Sequence, residues 1–305
     1  MHSSVSKVLL YSVLLFNFIL SPQAFGRGSS QKIQALAFDW DNTVMNTNSR
    51  IHVFNRQNAN DSMSFTTAEF AEVRDLIGNV EPYSSYKFDY SPLTGSFREF
   101  ADREEVNVFR RTIQDSMATQ RPEQWQGPSW QTFINALNDP EKARWVSIIT
   151  ARGHSPEQIH EGLELLAERG YIKYLPPVDY IFTVGGDNAV RPRKNQQAKL
   201  SSLDTSKTED KKVQAMEVIL DDMQEEINWS RSQGKPLQGE FIFFEDDKKN
   251  VEKAREGLKE NKLIVPDINL FVTYVGSPHA QPTTWEVTPM IAPAISCKAS
   301  LRLAR

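Results

Sequence analysis

Three short apolar runs in this chain stop abruptly at polar residues that can do chemistry. Ile33 to Phe38 ends at Asp39-Trp40-Asp41-Asn42-Thr43, Trp145 to Ile149 ends at Thr150-Ala151-Arg152-Gly153, and Glu240 to Phe244 ends at Glu245-Asp246-Asp247. Runs of this length bounded by polar turns read as buried strands. Two further strands are expected over Val178–Val184 and Ile268–Val275. Between them come periodic segments: a helix opened by Ser155-Pro156-Glu157 and running to about Arg169, one from Thr208 to about Ser230, and one over Asn250–Leu258. Strands alternating with helices predict an α/β fold of three α/β/α layers, with a mostly parallel sheet covered on both faces. Open sheets of that kind carry their sites at the carboxyl ends of the strands, where these polar residues fall.

The 305 residues, 39% of them hydrophobic, suffice for a full core. The N-terminus differs from the rest. Lys7 precedes an apolar stretch from Val8 to Leu20, followed by Ser21, Pro22 and small residues through Ala24 and Gly26. This layout reads as a signal peptide over residues 1–26, cleaved after Ala24 or Gly26, and predicts an exported protein, periplasmic or secreted. The stretch is shorter than the roughly 20 residues that span a bilayer, so no membrane span is expected in the mature chain. The only cysteine, Cys297, excludes an intrachain disulfide, and a formal net charge of -4 argues against a dedicated binder of long nucleic acid.

Two carboxylates one residue apart, just past a strand end, can hold different tasks: Asp39 can attack while Asp41 moves protons. Phosphoryl transfer to a carboxylate brings two anions together, so it needs a divalent cation and fixed donors. Asp246 and its neighbours offer the hard oxygen ligands that magnesium takes.

On these motifs the chain resembles the phosphatase branch of the haloacid dehalogenase superfamily. Its first motif is matched by Asp39-Trp40-Asp41-Asn42-Thr43, its second by Thr150 after Val146-Ser-Ile-Ile149, and its fourth by Phe241-Ile-Phe-Phe-Glu-Asp-Asp-Lys-Lys-Asn250. The resemblance implies a Rossmann-like core and a Mg2+-dependent phosphomonoesterase. It makes Asp39 the nucleophile, Asp41 the general acid and then base, and Thr150 a ligand of the transferred phosphoryl group. It assigns the metal to Asp39, the backbone carbonyl of Asp41 and Asp246, with Asp247 or Glu245 in support. It also implies a lysine beside Asp39, for which Lys212 leads over Lys211 and Lys207.

Arg152 follows Thr150 by two residues and could meet a phosphate bidentately, or could simply begin a helix at the surface. Thr150-Ala-Arg152-Gly is similar to the Ser-Gly-Arg of some polynucleotide 3′-phosphatases, which adds nucleic-acid ends to small phosphorylated substrates as a partner class. The bland readings are an exposed His154, a basic loop at Arg191-Pro-Arg-Lys194 within the segment Asp187 to Ser206, a simple turn at Gly185-Gly186-Asp187, and core packing for Trp125, Trp130 and Phe133. Residues 27–49 and 140–276 form the expected catalytic core. Residues 50–139 form a mainly α cap or insert, with helices near Thr66–Ile77 and Glu104–Met117, and residues 277–305 an irregular tail. The rival of another class is an idle protein that keeps this fold and binds a partner through the insert; retention of Asp39, Asp41 and Asp246 favours the enzyme.

Overall fold

The computed structural model describes residues 31–58, 60–185, 207–261, 265–276 and 281–288. The expected signal peptide, the segment Asp187 to Ser206 with its Arg191–Lys194 cluster, and Cys297 lie outside them. Among the described residues no helix is long and apolar enough to cross a membrane.

A six-stranded sheet organises the chain. Its strands are β1 (Gln31–Phe38), β5 (Val146–Thr150), β6 (Ile181–Thr183), β7 (Leu237–Glu245), β8 (Ile268–Tyr274) and β9 (Thr283–Glu286), in the order β6-β5-β1-β7-β8-β9. All pairings are parallel except β8 with β9. The chain runs outward from β1 through β5 to β6 and returns to β7 on the other side of β1. The strand order therefore reverses beside β1, and that reversal opens a crevice at the carboxyl ends. Alternation along β1 divides the interior. Ile33, Ala35 and Ala37 join one cluster with Ala215, Met216 and Ile219 of α7 (Thr208–Ser232) and with Val251 and Ala254 of α8 (Lys248–Asn261). Leu36 and Phe38 join the other, with Phe133 of α4 (Trp130–Leu137) and Leu163 of α6 (Pro156–Glu168). Phe38 stacks on Phe244 across the β1–β7 ladder, ring centroids 4.7 Å apart.

The insert departs from the mainly α expectation. It opens with an antiparallel sheet, β3-β2-β4, made of β2 (Arg50–Asn55), β3 (Ser62–Thr66) and β4 (Tyr86–Lys87). Ile51 and Val53 are buried at every second position of β2, and Val53, Phe65 and Ile77 form a small core of their own. Only α1 (Thr67–Val73) is helical in this part; its N-cap Thr66 and Glu69 form a reciprocal capping box. The second half of the insert is helical, α2 (Val108–Thr119), α3 (Pro122–Trp125), α4 and α5 (Pro140–Ala143), and it packs on the parallel sheet. Phe109, Trp125, Trp130 and Phe133 share the cluster of Leu36 and Phe38, so the core reading of the last three holds. A side-chain carbon on Gly162 would sit 2.4 Å from the Phe109 ring, so the bare backbone of α6 is what admits that ring.

Two boundaries also differ. Val178–Tyr180 is a 3-10 turn ahead of β6, and Thr283–Glu286, expected to be irregular, closes the sheet as an antiparallel edge strand.

Candidate functional site

The β1–β7 ladder continues one residue past β1, the N–H of Asp39 donating to the carbonyl of Phe244 at 3.0 Å. Trp40 then turns into the cluster already holding Phe38, packing against Phe109 and Phe133. Asp39 is left to the opposite side, where α7 crosses. The loop closes through Asn42 at φ 57°, a left-handed conformation that asparagine adopts more readily than most residues.

Lys212, in the first turns of α7, reaches that side. Its Nζ donates to Asp39 Oδ1 at 2.9 Å and to Glu245 Oε2 at 2.6 Å, and its side chain is 3% exposed. Neither competitor is placed this way: Lys211 is half-buried, and Lys207 is exposed just ahead of the helix. On the adjoining loop, Asp246 accepts a 3.0 Å hydrogen bond from Thr43, so the ends of β1 and β7 are tied directly.

One oxygen from each of Asp39, Glu245 and Asp246 falls within a 4.8 Å group. Three carboxylates there face one ammonium. Burial raises the Asp39 pKa well above the ordinary carboxylate range; Lys212 opposes the rise, and Glu245 and Asp246 add to it. Burial, then Glu245, pushes Asp246 up to about 7. Burial works against the Lys212 ammonium, but Asp39 and Glu245 outweigh it and hold its pKa above the usual lysine value. The excess negative charge in a nearly closed, oxygen-only group is what a hard divalent cation would neutralise, so the residues present fit one.

Asp41 stands in a separate clamp. Arg152 grips it with two hydrogen bonds, Nε to Oδ2 at 2.8 Å and Nη2 to Oδ1 at 2.7 Å. Nη2 also donates to the hydroxyls of Thr47 (3.0 Å) and Ser49 (3.1 Å), and Thr47 donates to Asp41 Oδ1 at 2.8 Å. The rings of Phe100 and Phe109 cover the guanidinium, 4.7 and 5.4 Å from its carbon. Arg152 is thus buried, which corrects the surface reading, and its fork is committed to Asp41 instead of a phosphate. Thr150 is buried at the end of β5, where it receives the Arg152 N–H at 3.3 Å. Gly185 serves the same corner: a side-chain carbon there would lie 1.8 Å from the Ala151 carbonyl oxygen.

Two other expectations change. His154 is fully buried beside Phe109, not exposed, and neither ring nitrogen has a hydrogen-bond partner among the described residues. Burial, aided by Arg152, lowers its pKa to about 2. Asp247 lies outside the three-carboxylate group: it pairs with Arg74, which caps α1, at 3.0 Å and accepts the Lys249 N–H that starts α8. Thr43 entered the sequence reading only as the end of the first motif, and Thr47 and Ser49 went unnoticed. The two-residue spacing of Thr47 and Ser49 puts both hydroxyls on one side of an extended chain, but nothing in the sequence pairs them with a residue a hundred positions away.

A cavity of 680 Å3 opens beside Asp246, its lining including Asn42, Asn46 and Thr47 from the loop after β1 and Thr66, Ala68 and Ala71 at α1. In comparisons with protein-family models, curated proteins and solved structures, the chain matches none of them.

Proposed function

We propose that this chain is an exported Mg2+-dependent phosphomonoesterase that works through an aspartyl-phosphate on Asp39, as the haloacid dehalogenase phosphatases it resembles do. The observation that carries this reading is the division of labour between the two aspartates of one loop. Asp39 sits in a nearly closed group with Lys212, Glu245 and Asp246, whereas Asp41 is held apart by Arg152.

In this reading an Asp39 oxygen attacks phosphorus while the bond to the leaving alcohol breaks, and Asp41 gives its proton to the alcohol oxygen. Water then attacks phosphorus, Asp41 takes the proton back, and the bond between phosphorus and Asp39 breaks to release phosphate. Lys212 neutralises Asp39 and the arriving phosphate, and the Thr150 hydroxyl meets a phosphoryl oxygen. Asp39 and Asp246, with Glu245 completing the acidic group, would hold Mg2+, which supplies charge neutralisation for the transferring phosphoryl group. With Arg152 committed to Asp41, the nucleic-acid-end reading loses the residue that suggested it.

The test is phosphate release from an aryl phosphate and a panel of natural monoesters by the chain lacking residues 1–26, with magnesium, with chelator, and for Asp39→Asn. Magnesium-dependent release that vanishes in a folded Asp39→Asn protein is the expected result. Wild-type turnover by that variant would sink the mechanism.

A further inference from the structure

The cavity wall nearest the loop after Asp41 includes three carboxamides, Asn46, Gln120 and Gln124, each with one half already committed. Asn46 donates its amide hydrogens to the backbone carbonyls of Gln124 (2.8 Å) and Gln126 (3.3 Å), so its carbonyl oxygen is what it can offer a ligand. Gln120 donates its amide to Asn48 and likewise keeps its oxygen to offer. Gln124 accepts the Arg121 N–H at 3.0 Å on its oxygen and keeps its NH2. The wall therefore presents acceptors and donors side by side, held in place: the Asn46 backbone is itself tied to the Trp125 carbonyl at 2.8 Å.

A hydroxyl both donates and accepts, so a row of hydroxyls can satisfy such a wall, whereas a second anionic group could use only the donors. An apolar leaving group would cover them without pairing any of them. The one aromatic ring among the described lining residues is Tyr274, and the Lys248 ammonium already stands over it, 5.9 Å from the centroid. A nucleobase, which binds by stacking on open aromatic faces, finds no such platform among the described residues. The volume of 680 Å3 lies within the range of small-molecule pockets.

We propose that the alcohol released at this site is hydroxyl-rich, so that the substrate class is sugar and polyol monophosphates. The proposal rests on the phosphatase reading above. Its test compares kcat/KM for hexose, pentose and linear polyol phosphates with that for nucleoside monophosphates, a phosphotyrosine peptide and p-nitrophenyl phosphate. The same panel is run on wild type and on the Gln120→Met, Gln124→Met double variant.

Wild type should prefer a sugar or polyol phosphate over every nucleotide by at least about tenfold, the size of one well-made contact. The double variant should lower the ratio of sugar-phosphate to p-nitrophenyl phosphate kcat/KM by at least about fivefold. A preference for nucleotides or the phosphopeptide, or an unchanged ratio in the variant, overturns the proposal while aryl phosphate turnover leaves the phosphatase reading standing. No release even from p-nitrophenyl phosphate overturns both.

Discussion

The Asp41 carboxylate and the Arg152 guanidinium meet edge to edge, with both carboxylate oxygens engaged and the arginine side chain sealed from solvent. Lysine would keep the charge but lose the fork. Arg152→Lys should fold and lower kcat for an alkyl phosphate by about 10²-fold, the usual worth of a positioned acid. p-Nitrophenyl phosphate, whose leaving group needs no proton, should lose less than about tenfold. Equal losses on both substrates would show that Arg152 does not act through Asp41.

Among the described residues, Lys212 is the one cation bonded to Asp39 and Glu245. Lys212→Met leaves a buried charge uncompensated and should cost about 3–5 kcal/mol in urea unfolding. Adding Glu245→Gln should recover part of that loss, because it removes one of the repelling charges. If the second substitution deepened the loss, the account of the site as over-filled with negative charge would be wrong.

Ligand linkage gives a test that needs no turnover. With magnesium at a hundredfold its dissociation constant the fold gains about 2.7 kcal/mol, which for a chain of this size raises Tm by the order of 5 °C. Thermal unfolding with and without chelator should show the shift in wild type, and Asp246→Asn should lose most of it. A shift that survives the substitution places the ion elsewhere.

Buried His154 makes an acid-sensitive contribution to stability, opposed over the same range by Asp246, whose raised pKa lets the folded state take up a proton there. The folded imidazole protonates only near pH 2, against 6.5 when unfolded, so the unfolded chain binds more protons throughout that interval. The His154 contribution is complete above about pH 6.5 and is lost as the pH falls below it, by about 2 kcal/mol between pH 7 and pH 5. The unfolding free energy from urea titration should fall between the two pH values by about 2 kcal/mol less in His154→Phe than in wild type.

Gly162→Ala sets two effects against each other. Alanine gains about 1 kcal/mol of helix propensity, but its methyl would press on the Phe109 ring from 2.4 Å, an overpacking that costs about 1–3 kcal/mol. We expect net destabilisation, relieved by Phe109→Leu in the same chain; a stabilised single variant would mean that the ring gives way freely.

The strand ends were legible because a parallel strand buried on both faces is a continuous apolar run, and Asp39, Thr150 and Glu245 each interrupt one. Lys212 was singled out on similar grounds: Met216, one turn later and fully buried, reports which face of α7 turns inward. The surroundings of His154 were not legible, since its burial comes from Phe109, 45 positions earlier in the sequence, crossing α6 at a glycine. β9 left no trace because an edge strand with mostly exposed residues has no buried face to impose a pattern. β2 did leave one, in the alternation of Ile51 and Val53, but it is shorter than the two helical stretches that follow it in the insert.

The short helix α1 is fastened at both ends: Thr67 donates to Asn42 at 3.1 Å, and Arg74, seven residues on, holds Asp247. At 1.5 Å per residue these anchors lie about 10 Å apart along the helix axis. The helix thus serves as a gauge that fixes how wide the cavity stands. One residue inserted into it would swing Arg74 by about 100° away from Asp247, so the length of this wall cannot drift as surface loops do, and changes in what the site admits must come from exchanging side chains along it.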